Sequence, residues 1–92
     1  MMASGGYLCP VCGYPDLHEL PWDGDSGSFE ICPSCGTQFG YDDAAGGDAA
    51  RREAVYASLR LAWKAAGCPW SSPGQPPPGD WNPAGQLEAV EG

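Results

Sequence analysis

Two short runs constrain this chain more than anything else in it: "CPVCG" at residues 9–13 is answered by "CPSCG" at residues 32–36. A C-x-x-C pair chelates one ion from a single tight turn, and two such turns brought together complete a tetrahedral shell of four sulfurs, the arrangement zinc takes in structural sites. Cys9, Cys12, Cys32 and Cys35 are therefore the candidate metal ligands. Gly13 and Gly36 follow the second cysteine of each run, where the backbone of such a knuckle turns to positive φ, a conformation glycine adopts freely. That turn lets backbone N–H groups point at the sulfurs. The alternatives for four cysteines are buried small hydrophobes or two redox pairs. A thioredoxin-type pair opens a helix within a βαβ unit, whereas both runs here lie among glycines and prolines ahead of any helical pattern.

Length sharpens the point. Ninety-two residues bury too little apolar surface to leave a wide margin over conformational entropy, so a metal staple is an economical solution. The opening "MMASGGY" has no basic region followed by an apolar run, and no stretch approaches the roughly 18 apolar residues of a membrane helix. The expected setting is the cytoplasm, with no membrane, where paired cysteines stay reduced and serve as ligands. The formal net charge is −8, and four thiolates around a divalent ion would bring it to about −10. Such a surface repels phosphate backbones, which argues against nucleic-acid binding.

Residues 7–41 read as a double-knuckle module with brief strands at "SFEI" (28–31) and "TQFGY" (37–41), where apolar residues alternate. "PWDGDSG" (21–27) reads as a loop by composition. It is not an EF-hand: counting from Asp23, the sixth residue is Ser28 where glycine is needed, and the twelfth is Ser34 where a bidentate glutamate is needed. "YDDAAGGD" (41–48) is an acidic connector ending in Asp48, a good N-cap for an amphipathic helix at about 49–66 that Gly67 closes. Val55, Leu59, Ala62, Trp63 and Ala66 form its apolar stripe, expected to pack on the knuckles. The tail, 68–92, holds six prolines together with Trp70 and Trp81. Those aromatics point to a segment that folds back in extended form, with "NPAGQLEAV" adding a last helical turn and the final residues fraying.

At this point "YLCPVCGYPDL", "FEICPSCGTQFGYDD" and "PPPGDWNPAGQL" together resemble a group of small uncharacterised bacterial cysteine-rich proteins akin to the CPCC family, over roughly residues 7–88. The resemblance implies a zinc-ribbon or rubredoxin-like knuckle fold and supports the four-cysteine ligand set, with no established activity. A common family form reads C-P-C-C in the knuckle, where this chain has Val11 and Ser34. The ligand count of four is unaffected.

The expected fold is thus a small α+β metal-stapled single domain over 1–92, a zinc-ribbon double knuckle with one amphipathic helix and a proline-rich tail. His18 in "DLHEL" reads as a surface or packing residue, since the shell is already complete. Cys68 lies just past a helix C-terminus, whose negative dipole end disfavours a thiolate, so it reads as an inert buried thiol. With all four positions filled by protein, no site is left for water or substrate, and no nucleophile set or phosphate loop stands elsewhere. The expected function is a non-enzymatic structural zinc module that presents a surface to a protein partner. The alternative is a rubredoxin-like iron electron carrier, although rubredoxins have a longer segment between knuckles than the 19 residues at 13–31 here. All four bases, Arg51, Arg52, Arg60 and Lys64, lie on the helix in an otherwise acidic chain. They predict an electrically two-sided molecule whose basic face either balances nearby acids or steers an acidic partner or a second copy.

Overall fold

A computed structural model describes residues 6–91. In chain order the described elements are β1 (Trp22–Asp23), β2 (Ser26–Gly27), a 3-10 turn (Ala45–Gly47), α1 (Ala49–Ala65) and α2 (Pro83–Glu91). β1 and β2 pair antiparallel, Trp22 opposite Gly27 and Asp23 opposite Ser26.

This hairpin falls in the segment whose composition reads as a loop, and it corrects the strand assignment. Gly24-Asp25 is the two-residue turn, with Gly24 at φ 62°, and glycine at the first turn position is a sequence signal for a tight hairpin. The expected strands at 28–31 and 37–41 are reduced to one isolated bridge, Ile31 opposite Gln38. The cause is Phe29, whose φ of 62° breaks the extended run three residues before Cys32. A second isolated bridge, Tyr7 opposite Leu17, closes the first arm.

α1 begins and ends where its caps require. Asp48 accepts from the N–H groups of Ala50 (2.9 Å) and Arg51 (3.3 Å). At the other end Gly67 takes φ 95°, with Gly67 N–H donating to Lys64 O and Cys68 N–H to Trp63 O, the paired bonds of a Schellman motif.

Its buried face is rotated from the expected stripe. Tyr56 and Trp63 are buried, Val55 and Leu59 half-buried, but Ala62 and Ala66 are exposed, while Arg52 and Arg60 turn inward. The reason is a buried carboxylate. Asp43, fully enclosed, accepts from Tyr56 Oη (2.8 Å), Trp22 Nε1 (2.8 Å) and Gly40 N–H (2.6 Å). Arg52 donates to the Asp43 carbonyl at 3.0 Å and stacks 3.7 Å over the Trp22 ring. Burying a carboxyl group demands hydrogen-bond partners, and they pull the polar end of the helix face into the interior.

The tail folds back, as its tryptophans suggest. Trp70 meets Tyr14 edge-on at 5.9 Å and Trp81 edge-on at 5.2 Å. The expected last turn is a full nine-residue helix, α2, with Leu87 buried. The final residues, expected to fray, are helical to Glu91, and Gly92 lies outside the described residues. The core joins both knuckles to α1 and α2 through Val11, Leu17, Phe39, Tyr56, Trp63 and Leu87.

Candidate metal centre

The two knuckles are built alike. In the first, Gly13 N–H donates to Cys9 O (2.9 Å) and Cys9 N–H to Tyr14 O (2.8 Å); in the second, Gly36 N–H donates to Cys32 O (2.8 Å) and Cys32 N–H to Thr37 O (2.9 Å). Gly13 and Gly36 both sit at φ 83°, the left-handed geometry expected at each turn.

These turns bring the four sulfurs together. All lie within 4.8 Å of one another, and two of the four cross-knuckle pairs, Cys9 with Cys35 and Cys12 with Cys32, are each 3.8 Å apart. A tetrahedron with bonds of about 2.3 Å to its centre has edges of about 3.8 Å, so the donor set fits one four-coordinate ion. Around the sulfurs, Val11 N–H donates to Cys9 Sγ at 3.4 Å and the Thr37 hydroxyl lies 3.3 Å from Cys35 Sγ. Cys9, Cys12 and Cys32 are fully buried; Cys35 is half-buried and lines a groove beside Leu59 and Trp63.

Without a cation the cluster cannot carry four negative charges. Hydrogen bonding with Cys12 leads in pushing the Cys9 and Cys32 thiols far above their ordinary range, with burial adding to it, while bonds from Cys12, Cys32 and Cys9 hold the Cys35 thiol far below. The Cys12 thiol is lowered too, chiefly by hydrogen bonding with Cys32, so two sulfurs keep their protons to stabilise the other two. A divalent ion resolves that conflict by compensating all four thiolates together.

An outer layer fixes the knuckles, and the sequence reading did not anticipate it. Arg60 donates through Nε to Val11 O (2.6 Å) and through Nη2 to Pro10 O (2.7 Å). In the second knuckle the same two positions are capped by the tail: Ser71 N–H donates to Pro33 O and Ser34 O, and Ser72 N–H to Pro33 O. The buried Ser34 hydroxyl accepts from Gln86 Nε2 (3.0 Å) and Trp81 Nε1 (3.3 Å). Arg60 was legible in one respect, since Arg52, Tyr56, Arg60 and Trp63 recur at helical spacing. Ser34 carried no signal beyond being polar where its counterpart is Val11.

The other two candidates stand apart from the cluster. His18 is exposed, and its backbone N–H donates to Glu30 Oε2 at 2.9 Å. Cys68 is half-buried and held at φ 55° by the helix cap. Among the described residues no helix is long and apolar enough to cross a membrane.

Comparison with known proteins adds one relative. Over 44 residues the chain is 44% identical to an uncharacterized Bacillus subtilis (strain 168) protein, YoaQ, the match covering 46% of this chain and 37% of that relative. The chain thus spans well under half of the protein it matches. No family model matches, and no solved structure does. What stands is a small chain with a two-stranded sheet, two helices and a four-cysteine cluster suited to a metal ion.

Proposed function

We propose that the chain is a structural zinc module, a zinc-ribbon-like double knuckle without catalytic activity, whose outer surface engages a protein partner in a reducing, cytoplasmic setting. The observation that carries the reading is the cluster of four sulfurs within 4.8 Å of one another, two of its cross-knuckle edges at 3.8 Å. Cys9, Cys12, Cys32 and Cys35 would hold the ion. Four protein ligands leave no open position, so the ion supplies folding energy and charge compensation rather than Lewis-acid chemistry. Four-thiolate and related zinc sites bind with about 10–16 kcal/mol at neutral pH, more than a core of this size contributes. The knuckle carbonyls held by Arg60, Ser71 and Ser72 transmit that order to α1 and the tail. Elemental analysis of freshly purified protein, with its visible spectrum, tests the assignment. One equivalent of zinc and a colourless protein is the expected result. One equivalent of iron and a red protein would transfer the site to rubredoxin-like electron transfer, and disulfides with no metal would overturn both.

A further inference from the structure

Three cysteines of the cluster are sealed and one is open. Cys9, Cys12 and Cys32 are 0% exposed. Cys35 is half-buried and lines a groove of about 320 Å³ between the second knuckle and α1, beside Thr37, Leu59, Ala62 and Trp63. We propose that Cys35 is an oxidation site for small hydroperoxides and that Cys9 captures the oxidised sulfur as a disulfide, so that peroxide makes the chain release its ion and loosen its tail. The proposal rests on the reading of the chain as a zinc module and adds a regulation of that same site.

Access selects the residue. Elsewhere the knuckles are covered: Arg60 lies on the Pro10 and Val11 carbonyls, the Gln86 backbone of α2 leaves no room for a Cβ on Gly13, and Ser71 and Ser72 bond to the Pro33 and Ser34 carbonyls. Oxidation of a cysteine follows its thiolate character and its exposure. Metal ligation keeps all four sulfurs as thiolates, so exposure decides between them, and it favours Cys35.

A second sulfur stands ready for the oxidised one. Cys9 Sγ is 3.8 Å from Cys35 Sγ, and a disulfide closes that gap to about 2.05 Å. The Cys35 thiolate attacks one peroxide oxygen; an S–O bond forms, the O–O bond breaks and hydroxide leaves, so the sulfur loses two electrons and the peroxide gains them. The Cys9 thiolate then attacks the Cys35 sulfur; an S–S bond forms, the S–O bond breaks and a second hydroxide leaves. Both hydroxides take protons from the buffer. Two thiolates remain, too few for a closed four-sulfur shell.

The tail is joined to the same knuckle. Ser34, the residue before Cys35, accepts from Ser71 N–H at its carbonyl and from Gln86 and Trp81 at its hydroxyl. Drawing Cys35 toward Cys9 disturbs those bonds and frees α2 and Trp81.

The test uses the full zinc-loaded chain carrying Cys68→Ser, so that the fifth thiol takes no part, treated with hydrogen peroxide while a chromogenic chelator records released metal. Zinc should leave in step with two thiols per chain, and tryptophan emission should shift to the red. Dimedone should label Cys35 ahead of the other three cysteines, and mass spectrometry of the proteolysed product should find the Cys9–Cys35 bridge. Dithiothreitol with added zinc should restore the starting protein. Ala62→Phe, which narrows the groove without touching a ligand, should slow metal release about fivefold or more, as expected where exposure governs the rate. First labelling at Cys9, Cys12 or Cys32, or a release rate indifferent to Ala62→Phe, overturns the proposal. Zinc and thiols that survive millimolar peroxide overturn it as well, and emission that stays fixed while zinc leaves overturns the coupling to the tail. Absence of stoichiometric zinc before peroxide is added overturns the metal reading instead, so the two failures are distinguishable.

Discussion

Gly13 and Gly36 have the same φ of 83° but different neighbours, and replacing each by alanine separates the cost of the turn from the cost of detaching the tail. A Cβ on Gly36 meets only the Ser71 side chain, its Oγ at 2.5 Å, and that hydroxyl can rotate away. Gly36→Ala should therefore cost little beyond the left-handed backbone, about 1–2 kcal/mol. A Cβ on Gly13 falls 1.9 Å from the Gln86 carbonyl oxygen and 2.7 Å from its carbon. These are backbone atoms of α2, so the helix has to leave. Its departure exposes Leu87, now 7% exposed, at about 1.5–3 kcal/mol, and breaks the Gln86 and Trp81 bonds to Ser34 at about 1 kcal/mol each. Gly13→Ala should thus be less stable than Gly36→Ala by about 3.5–5 kcal/mol. Urea unfolding of both variants at equal metal content, followed by tryptophan emission, measures that gap. A difference below about 1 kcal/mol, within the error of such extrapolations, would refute the idea that α2 is seated on the first knuckle.

Three further outcomes follow from the same contacts. Arg60→Met keeps the apolar stem but strands the Pro10 and Val11 carbonyls, and should lose about 2–3 kcal/mol in urea unfolding, whereas Arg51→Met should stay within about 0.5 kcal/mol of the parent. Cys35→Ser should abolish tight stoichiometric metal binding by elemental analysis and Cys68→Ser should leave it unchanged; loss of metal in the latter would mean that the ligand set is wrong. Burial first, then the bond to the Asp43 carboxylate, raises the Tyr56 phenol above its ordinary value of 10.0. Its contribution to stability is therefore full below about pH 10 and is lost as pH rises from there toward the raised folded value. The stability gap between the parent and Tyr56→Phe should narrow across that alkaline window, and a gap that stays constant would contradict it.

The parts legible in the sequence are those that local chemistry decides. Each knuckle is a five-residue unit whose spacing and terminal glycine specify its own turn, and α1 is bounded by Asp48 and Gly67, which act on their nearest neighbours. The miscalled strands failed for a related reason. Alternation at 28–31 says nothing of Phe29 turning left-handed, and the Gly24-Asp25 hairpin signal was hidden among residues that also favour loops. The helix face needed long-range knowledge: Tyr56 is drawn inward by Asp43, thirteen residues earlier, which as one of three acids in the connector gives no hint of burial.

The bases show how far such a misreading reaches. Counted on the sequence, four cations on one helix amount to a basic face and suggest an acidic partner. In the fold, Arg60 lies across the first knuckle, Arg52 seals the Asp43 network, and Lys64 ties α1 to α2. A guanidinium suits the first two tasks because its fork donates to two carbonyls at once and its face stacks on an aromatic ring. Of the two expectations raised by the charge pattern, these contacts support internal balance. The charge reversal Arg51→Glu/Arg52→Glu would therefore damage the core as well as the surface, and cannot isolate a steering effect. With Arg51 alone left exposed and without a partner among the described residues, the helix side carries no cluster of free bases through which to steer an acidic partner.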